Sequence, residues 1–559
     1  MGTPSPPSTT ALVLRAIGFL ALLVIGRFFY RWYQVRTMVR NWYRENDYEG
    51  VPHSFVFGHI IVTGKLMAKY PSNMYPICVS TLVLQQFPHL EKDGFLLLDA
   101  WPFVDPMLYV FDPEMSTQFT QAQSLPKSND LKAEFRPLTR NRDLVTMDGP
   151  EWKLWRSVFN PGFSAKNLMS MTPAFLEEVG VFVERLRRAA KSGEILRIEG
   201  PATNLTIDVI GRSILDKRLH AQTTSNLLQW ALAKQISWLT PEYTPPSLMK
   251  LINPARPFLM WNYNRIIRNY LLPIIHQNIA AQADGTATSA GTKTIISLAS
   301  KAYLSEKTQS PSKPISSAAL VDKEFVDMAV PQLIIFLFAG HDTTATTLCF
   351  AYHLLHTNPR TLATLRAEHD SVFGPDPREA EAKIAANPAL LNALPYTSAV
   401  IKETLRLFSP AATVRQGQPN FHLTHPGTGR RYPTVNIVVH QNSHTTHHLA
   451  SIFPRPYEFL PERFLAPESD PLHVRKNSFR PFELGPRGCI GQELAQLELR
   501  MILALTAREF ELESASEELG LPEIFRREKG GLMGLGTYQV GNVTGHPWDG
   551  MPVRVKIRT

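Results

Sequence analysis

The chain has 559 residues, of which 44% are hydrophobic and 19% are charged, so it can bury a substantial core and is neither disordered nor collagen-like. Its 58 Lys and Arg residues outnumber its 49 Asp and Glu residues, but the basic residues are dispersed along the chain, which argues against nucleic-acid binding. We expect one large globular domain with an appendage.

The three cysteines, Cys78, Cys349 and Cys489, lie far apart and form no C-x-x-C pair. This spacing excludes a disulfide framework and a cysteine-rich zinc site, and it favours a reducing compartment. Cys78 and Cys349 have no basic neighbours that would make a thiol reactive, so we interpret both as core residues.

Residues 11–30 read ALVLRAIGFLALLVIGRFFY, a run as long as the roughly 20 residues that cross a bilayer core. A cleaved signal peptide is the alternative, but no small-x-small cleavage site follows, and Trp32 and Tyr33 are typical of a membrane interface. The run therefore predicts one retained transmembrane anchor. No charged side chain precedes it, and four arginines near or after its end place the body in the cytosol: Arg27, Arg31, Arg36 and Arg40.

The turn Asp148-Gly149-Pro150 precedes a predicted helix on which Trp152 and Arg156 lie one turn apart on the same face. Both side chains carry N–H groups suited to a carboxylate. The spacing W-x-x-x-R is a weak signal alone, so it indicates an anionic ligand only together with other motifs.

Residues 325–356 are predicted to form one helix about 45 Å long, apolar on nearly all faces and therefore buried. At its centre, Gly340 leaves room for a small molecule near the backbone, and the Thr343 hydroxyl can donate to the Ala339 carbonyl. Asp342 followed by Thr343 makes a short acid–alcohol relay for protons. A threonine-rich core helix with incidental polarity is the alternative.

Glu403 and Arg406 are three residues apart on a predicted helix in apolar surroundings, where they can form a bidentate pair. Such a buried pair needs a third partner, and Arg463 in the sequence Pro-Glu-Arg-Phe supplies one. We assign these three residues a structural role.

Four histidines, His440, His444, His447 and His448, could suggest a metal site. We disfavour it, because surface histidine clusters are commonly solvated and no carboxylate or cysteine completes the set of ligands.

The segment Phe482-Glu-Leu-Gly-Pro-Arg487-Gly-Cys489-Ile-Gly491 precedes a predicted helix. The start of a helix lowers the pKa of a thiol, the glycines allow a large flat ligand to approach the backbone, and Arg487 offers two donors to a carboxylate. A buried structural cysteine is the alternative.

This segment matches at every position the haem-binding signature F-x-x-G-x-R-x-C-x-G of the cytochrome P450 family, and the chain is therefore identified as resembling that family. The other motifs resemble the family's A-G-x-D/E-T-T/S, E-x-x-R, P-E-R-F and W-x-x-x-R elements, in the expected order. The resemblance implies a mainly α fold with a minor β-sheet, preceded by one transmembrane helix, and haem b (iron protoporphyrin IX) as cofactor.

The resemblance also assigns roles to residues. Cys489 would be the axial metal ligand, and Asp342 and Thr343 would deliver protons during oxygen activation. The other cofactor-binding residues would be Arg487, Trp152, Arg156, Arg415, Phe482 and Gly340. The substrate pocket would be walled by Ile335, Phe338, Ala339 and residues 411–414.

The implied domains are a tail at 1–10, the anchor at 11–30, a hinge at 31–55 and a haem-thiolate catalytic domain at 56–559. The implied protein is a single-pass endoplasmic-reticulum monooxygenase with a cytosolic catalytic domain, which receives electrons from a separate NADPH-dependent reductase and acts with O2 on a small apolar substrate. Its sequons at Asn204 and Asn542 would then be unmodified.

The closing segment 546–555 and residues 144–164 look like filamentous-fungal family members that oxidise secondary metabolites, with aromatic polyketides of the sterigmatocystin type as our first hypothesis. Two alternatives remain: a hydroperoxide isomerase or dehydratase on the same fold, and a non-enzymatic membrane-anchored haem-binding protein. The intact Asp342-Thr343 pair argues against both, since neither needs a proton relay.

Overall fold

The computed structural model describes residues 8–239, 249, 250, 252–284, 293–309, 323–525, 535–541 and 543–558. Residues 1–7 of the predicted tail and the sequon residue Asn542 lie outside these residues. The described chain is mainly helical with small sheets, which confirms the predicted fold class. The helices are α1 (Thr9–Glu45), α2 (Ile60–Met67), α3 (Val79–Gln86), α4 (Pro113–Thr117), α5 (Asn129–Thr139), α6 (Gly149–Phe159), α7 (Ala165–Ser170), α8 (Thr172–Ser192), α9 (Glu199–Leu215), α10 (Leu227–Leu239), α11 (Arg256–Ala283), α12 (Ile295–Gln309), α13 (Lys323–Thr357), α14 (Pro359–Phe373), α15 (Glu379–Ala386), α16 (Pro395–Leu407), α17 (Ser443–His448) and α18 (Gln492–Thr506).

The strands of the described residues form four small sheets. They are β1 (Phe95–Leu98), β2 (Met107–Val110), β3 (Ile195–Arg197), β4 (Thr413–Gln416), β5 (His422–Thr424), β6 (Arg431–Pro433), β7 (Val438–Gln441), β8 (Phe510–Ser514), β9 (Gln539–Val540), β10 (His546–Pro547) and β11 (Pro552–Ile557). One sheet has the order β1-β2-β7-β4, with only the β2–β7 pair parallel, and another is antiparallel with the order β3-β11-β8. The pairs β5–β6 and β9–β10 are antiparallel, and the β9–β10 pair lies against α13.

Helix α13 runs through the middle of the body and packs along α9. Its side chains are buried from Phe325 to Phe338, apart from Asp327, and again from Thr344 to Leu355. Between these stretches Ala339, Gly340, Asp342 and Thr343 are not fully buried. This break in an otherwise buried helix opens one side of it to a cavity.

Helix α1 is continuous from its apolar start into the body. Its apolar side chains between Leu12 and Tyr30 are exposed, whereas Val35, Arg36, Val39 and Trp42 are buried. The buried Arg36 guanidinium pairs with the Asp99 carboxylate and donates to the Trp101 carbonyl at 2.8 Å. Residues 31–45, which we placed in a hinge, are therefore helical, and Arg36 serves as a buried attachment rather than as a charge beside the membrane.

Two described helices are long and apolar enough to cross a membrane, α1 and α13. Most of α13 is buried inside the body, so its apolarity reflects the core. Helix α1 has no such cover along its apolar part, which fits a membrane anchor.

The buried Glu403 carboxylate accepts hydrogen bonds from Arg406 Nε and Nη2, both at 2.8 Å, and from Arg463 Nε at 3.2 Å. All three side chains are fully buried. The remaining guanidinium nitrogen of Arg406, Nη1, donates to the His447 carbonyl at 2.7 Å. This confirms the predicted three-residue network, which ties α16 to the segments that follow α17.

Arg406→Ala is expected to lower the free energy of unfolding by about 3–5 kcal/mol, because Glu403 would stay buried without its bidentate partner. Denaturant unfolding of the purified protein measures this change. Arg455→Ala is the matched control, since Arg455 pairs with Glu458 at the same spacing on the surface and should change stability little. Equal stabilities of the two variants would contradict the structural role.

The histidine cluster is not solvated as we expected. His444, His447 and His448 on α17 are buried, and His440 is partly buried on β7. Burial holds the pKa of His447 well below its usual value, and its Nε2 accepts from the Arg480 amide at 3.1 Å. Among the described residues, no group of three or more His, Cys, Asp or Glu side chains is arranged to hold a metal. The cluster is part of the core.

Candidate active site

A cavity of about 290 Å³ lies where the break in α13 faces the segment that ends at Gly491. Gly340 and Thr343 line it from α13, and Phe482, Arg487 and Cys489 line it from the opposite side. Its remaining wall is mostly apolar and comes from several elements: Val145, Phe163, Ile210, Phe336, Ala411 and Ala412. The cavity therefore has an apolar interior with a thiol on one side and a helix break on the other.

The loop that carries Cys489 is shaped by local hydrogen bonds. The Cys489 amide donates to the Phe482 carbonyl at 2.8 Å, and the Gly488 amide donates to the Gly485 carbonyl at 3.0 Å. Gly485 has a φ of +93°, and a Cβ there would lie 2.5 Å from the Thr120 carbonyl oxygen. Only glycine fits this position, and the resulting turn presents the thiol to the cavity.

The pKa of Cys489 is raised, whereas the sequence predicted a lowered value. Burial is the larger effect, although the Gly491 and Gln492 amides at the start of α18 and the nearby Arg156 act in the lowering direction. The side chain is open to the cavity and enclosed by protein elsewhere. The neutral thiol is therefore favoured until a positive partner, such as a metal ion, enters the cavity.

A cluster of cations lies beside the cavity. Arg415 is fully buried, and its three guanidinium nitrogens have no hydrogen-bond partner among the described residues. Burial, together with the charge of Arg487, lowers the pKa of Arg415 to about 10. The backbone of Lys127 forms an isolated antiparallel β-bridge with that of Arg415. The Lys127 Nζ donates to Thr413 Oγ1 at 3.1 Å. Burial and the charges of Arg415 and Arg487 hold the pKa of Lys127 well below its usual value.

Buried cations without enough carboxylates are costly, and they are stabilised when an anion binds. The orphaned guanidinium of Arg415 beside Lys127 therefore fits a ligand that carries carboxylates. The two propionates of haem b are such carboxylates, and the thiol of Cys489 across the cavity fits the metal of the same group. The residues present thus suit the cofactor that the resemblance implies.

Three other predicted cofactor-binding residues lie near this cluster, and in the structure they bind protein atoms: Arg487, Trp152 and Arg156. Arg487 pairs with Asp148, donates to the Met147 carbonyl at 2.6 Å and lies over the Trp152 ring, 4.6 Å from its centre. The Trp152 Nε1 donates to the Leu144 carbonyl at 3.2 Å. Arg156 Nη1 donates to the Gly488 carbonyl at 2.9 Å. In the structure, Arg156 and Trp152 support the Cys489 loop.

Sequence reasoning missed Lys127, because a single lysine in a loop has no distinguishing pattern. Its position depends on the bridge to Arg415, which is distant in the chain. Arg480, which lines the cavity with one buried nitrogen unpartnered, was also missed. Of the predicted substrate-pocket residues on α13, Ala339 lines the cavity, whereas Ile335 and Phe338 are buried outside its lining.

On the other side, the Thr343 hydroxyl donates to the Ala339 carbonyl at 3.0 Å, as the sequence predicted. A Cβ on Gly340 would clash with Ile210 of α9, so this glycine allows the two helices to approach. Asp342 does not line the cavity. Its carboxylate turns towards the β9–β10 pair, while Thr343 faces the cavity.

The comparisons with known proteins agree with this geometry. The cytochrome P450 family profile matches residues 84–538. The chain is 37% identical to cytochrome P450 monooxygenase polC of Polytolypa hystricis over 97% of this chain and 95% of that protein. It is 32% identical to cytochrome P450 monooxygenase acrF of Aspergillus aculeatus, over 88% and 99% of the two chains. The crystal structure of the cytochrome P450DA heme domain has the same fold, with a TM-score of 0.67, 19% identity and coverage of 91% and 97%.

The fold is that of a cytochrome P450 heme domain, and the matched profile and relatives define the family. The chain belongs to the cytochrome P450 family and is a cytochrome P450 monooxygenase. Membership implies haem iron as cofactor, O2 and a substrate as reactants, and electrons from a redox partner.

Proposed function

We propose that this protein oxidises a small apolar secondary metabolite, with electrons from an NADPH-dependent reductase. The observation that carries the proposal is the cavity, whose wall is mostly apolar. An apolar wall selects for apolar ligands of limited size, and the fungal relatives polC and acrF are both monooxygenases. An aromatic polyketide is the first substrate class to test.

When bound through the Cys489 thiolate, haem iron supplies electron transfer and oxygen activation, because the thiolate favours cleavage of the O–O bond. When the cofactor is bound, Arg415 and Lys127 would hold its carboxylates. Its apolar wall binds the substrate and excludes water. Asp342 and the Thr343 hydroxyl move protons towards the cavity.

Turnover with a supplied reductase tests the proposal. The full-length protein in membranes, with reductase, NADPH and a fungal metabolite extract, should convert one metabolite to a product that carries an added oxygen atom. Conversion of a hydroperoxide without NADPH would instead support the isomerase alternative. Haem binding without turnover of any metabolite would support the non-enzymatic alternative.

We further propose that α1 anchors the protein in the endoplasmic-reticulum membrane with the body in the cytosol. The exposed apolar part of α1 ends near Tyr30, and Arg31 follows it directly. Arginines after a spanning segment favour the cytosolic side. Protease protection of the body in sealed microsomes would contradict this orientation.

Deleting residues 1–28 is expected to release the protein from membranes and to leave haem binding intact, because Val35, Arg36 and Val39 stay packed on the body. Sedimentation of salt-washed membranes and the spectrum of the reduced carbon monoxide complex measure the two outcomes. Full retention in the washed membranes would contradict the anchor.

Deleting residues 1–40 provides the comparison. This longer deletion removes Arg36 and leaves Asp99 buried without it, so it should lower the free energy of unfolding by about 3–5 kcal/mol. Equal stability of the two truncated proteins would show that the end of α1 does not support the body.

A further inference from the structure

The Asp342 carboxylate is held by the C-terminal part of the chain. Its Oδ2 accepts a hydrogen bond from the Thr544 hydroxyl and lies 3.4 Å from His546 Nε2. His546 Nε2 also lies 3.2 Å from Thr544 Oγ1. Because the hydroxyl donates to Asp342, it accepts from the imidazole. Three side chains therefore form a continuous hydrogen-bonded path.

The outer end of the path is fixed by α9. His546 Nδ1 lies 2.7 Å from Glu199 Oε1, at the first residue of that helix. The exposed fraction of the side chain is 33% for His546, 22% for Glu199 and 13% for Asp342. Solvent thus reaches His546 more easily than it reaches Asp342.

The imidazole carries a proton on both nitrogens at neutral pH. Burial opposes this charge, but the carboxylates of Asp342 and Glu199 outweigh it and raise the pKa of His546 to about 9. Two other titratable groups lie near the path, and both stay neutral. The pKa of Tyr75 is raised by burial and by the charges of Glu134 and Asp342, and that of Cys349 by burial and by Glu199.

We propose that His546 and Thr544 relay protons from solvent to Asp342, and that Glu199 is a positioning residue that orients the imidazolium. The Nε2 proton moves to Thr544 Oγ1 as the hydroxyl proton moves to Asp342. The neutral imidazole keeps its Nδ1 proton against Glu199 and regains the other proton from solvent. The inference rests on the proposed role of Asp342.

A purely structural reading is that the His546–Glu199 pair only attaches the C-terminal segment to α9. The chain offers a matched control for this reading. Arg197 pairs with Asp549 at 2.9 Å and joins neighbouring parts of the same two segments, but Asp342 is not one of its partners. Arg197→Gln removes a comparable attachment and leaves the path intact.

The experiment compares His546→Gln, Thr544→Val and Arg197→Gln in the full-length, haem-loaded protein with reductase. Product formed per NADPH oxidised should fall by about 10²-fold in the first two variants, at the lower end of the range for positioned proton transfer, while hydrogen peroxide rises. Arg197→Gln should keep the parent ratio. Thr544→Val carries the test if His546→Gln does not fold.

A second readout does not depend on turnover. In protein labelled at histidine, the NMR signal that His546→Gln removes should titrate near pH 9 in the parent and closer to 6.5 in Glu199→Gln. Titration near 6.5 in the parent, or an unchanged product ratio in both His546→Gln and Thr544→Val, would overturn the relay. Equal losses in Arg197→Gln would also overturn it in favour of attachment.

Failure of the proposed function would look different. If Asp342→Asn keeps the parent ratio of product to NADPH, then Asp342 delivers no proton and the proposed function is at fault. If Asp342→Asn lowers the ratio but His546→Gln and Thr544→Val do not, only the relay is wrong.

Discussion

Cys489→Ala is expected to abolish turnover and to remove the red-shifted Soret band that thiolate ligation gives to the reduced carbon monoxide complex. Among the described residues, Cys489 is the only cysteine that lines the cavity. Its thiol lies opposite the break in α13. Without the sulfur, the metal of the cofactor loses its proposed protein ligand. The spectrum of the purified variant after addition of haem measures the effect.

Cys78→Ala is the matched control. Cys78 is fully buried away from the cavity, and burial raises the pKa of its thiol to about 12. This variant should keep both the band and the turnover. A thiolate-type band in Cys489→Ala, or its loss in Cys78→Ala, would contradict the assignment of Cys489.

Helices with long or periodic apolar patterns could be predicted closely from the sequence. The helix predicted at 325–356 is α13, Lys323–Thr357, and the predicted helix that carries Glu403 and Arg406 is α16, Pro395–Leu407. Helix α13 is a long apolar run, and the apolar residues of α16 recur at the helical period. Neither pattern needs knowledge of distant contacts. The fold class follows from such elements.

Features that depend on distant contacts could not be predicted. The end of α1 looked like a hinge because its residues are polar, but Arg36 is buried by its pair with Asp99. The histidines of α17 were expected to be solvated because they are polar, but they are packed in the core. Composition reports which side chains are polar, whereas burial depends on what the fold brings against them.

The candidate site divides in the same way. The Cys489 loop lies within one short segment, so its glycines and its arginine could be read directly. Lys127 meets Arg415, and His546 meets Asp342, only because strands and helices far apart in the chain come together. The sequence therefore indicates the loop that carries Cys489, but it does not indicate which charged side chains lie next to each other in the site.

Thr343→Ala is expected to keep substrate binding and NADPH consumption but to lose most of the product, with hydrogen peroxide released instead. The Thr343 hydroxyl lines the cavity, and without it the chain would deliver protons to the cavity more slowly, so that NADPH would be consumed without product. Asp342→Asn should lower turnover by about 10²–10⁴-fold, the range of a positioned proton donor. NADPH oxidised, product and peroxide are measured together.

Thr347→Ala is the control that separates proton delivery from loss of a helix hydroxyl. Thr347 lies one turn after Thr343, also lines the cavity, and donates to the carbonyl four residues earlier at 2.8 Å. Its removal therefore changes the helix in the same way, without touching the residue next to Asp342. The parent ratio of product to NADPH in Thr347→Ala, with a large loss in Thr343→Ala, is the expected pattern. An unchanged ratio in Thr343→Ala would remove its proton-delivery role and favour the hydroperoxide isomerase.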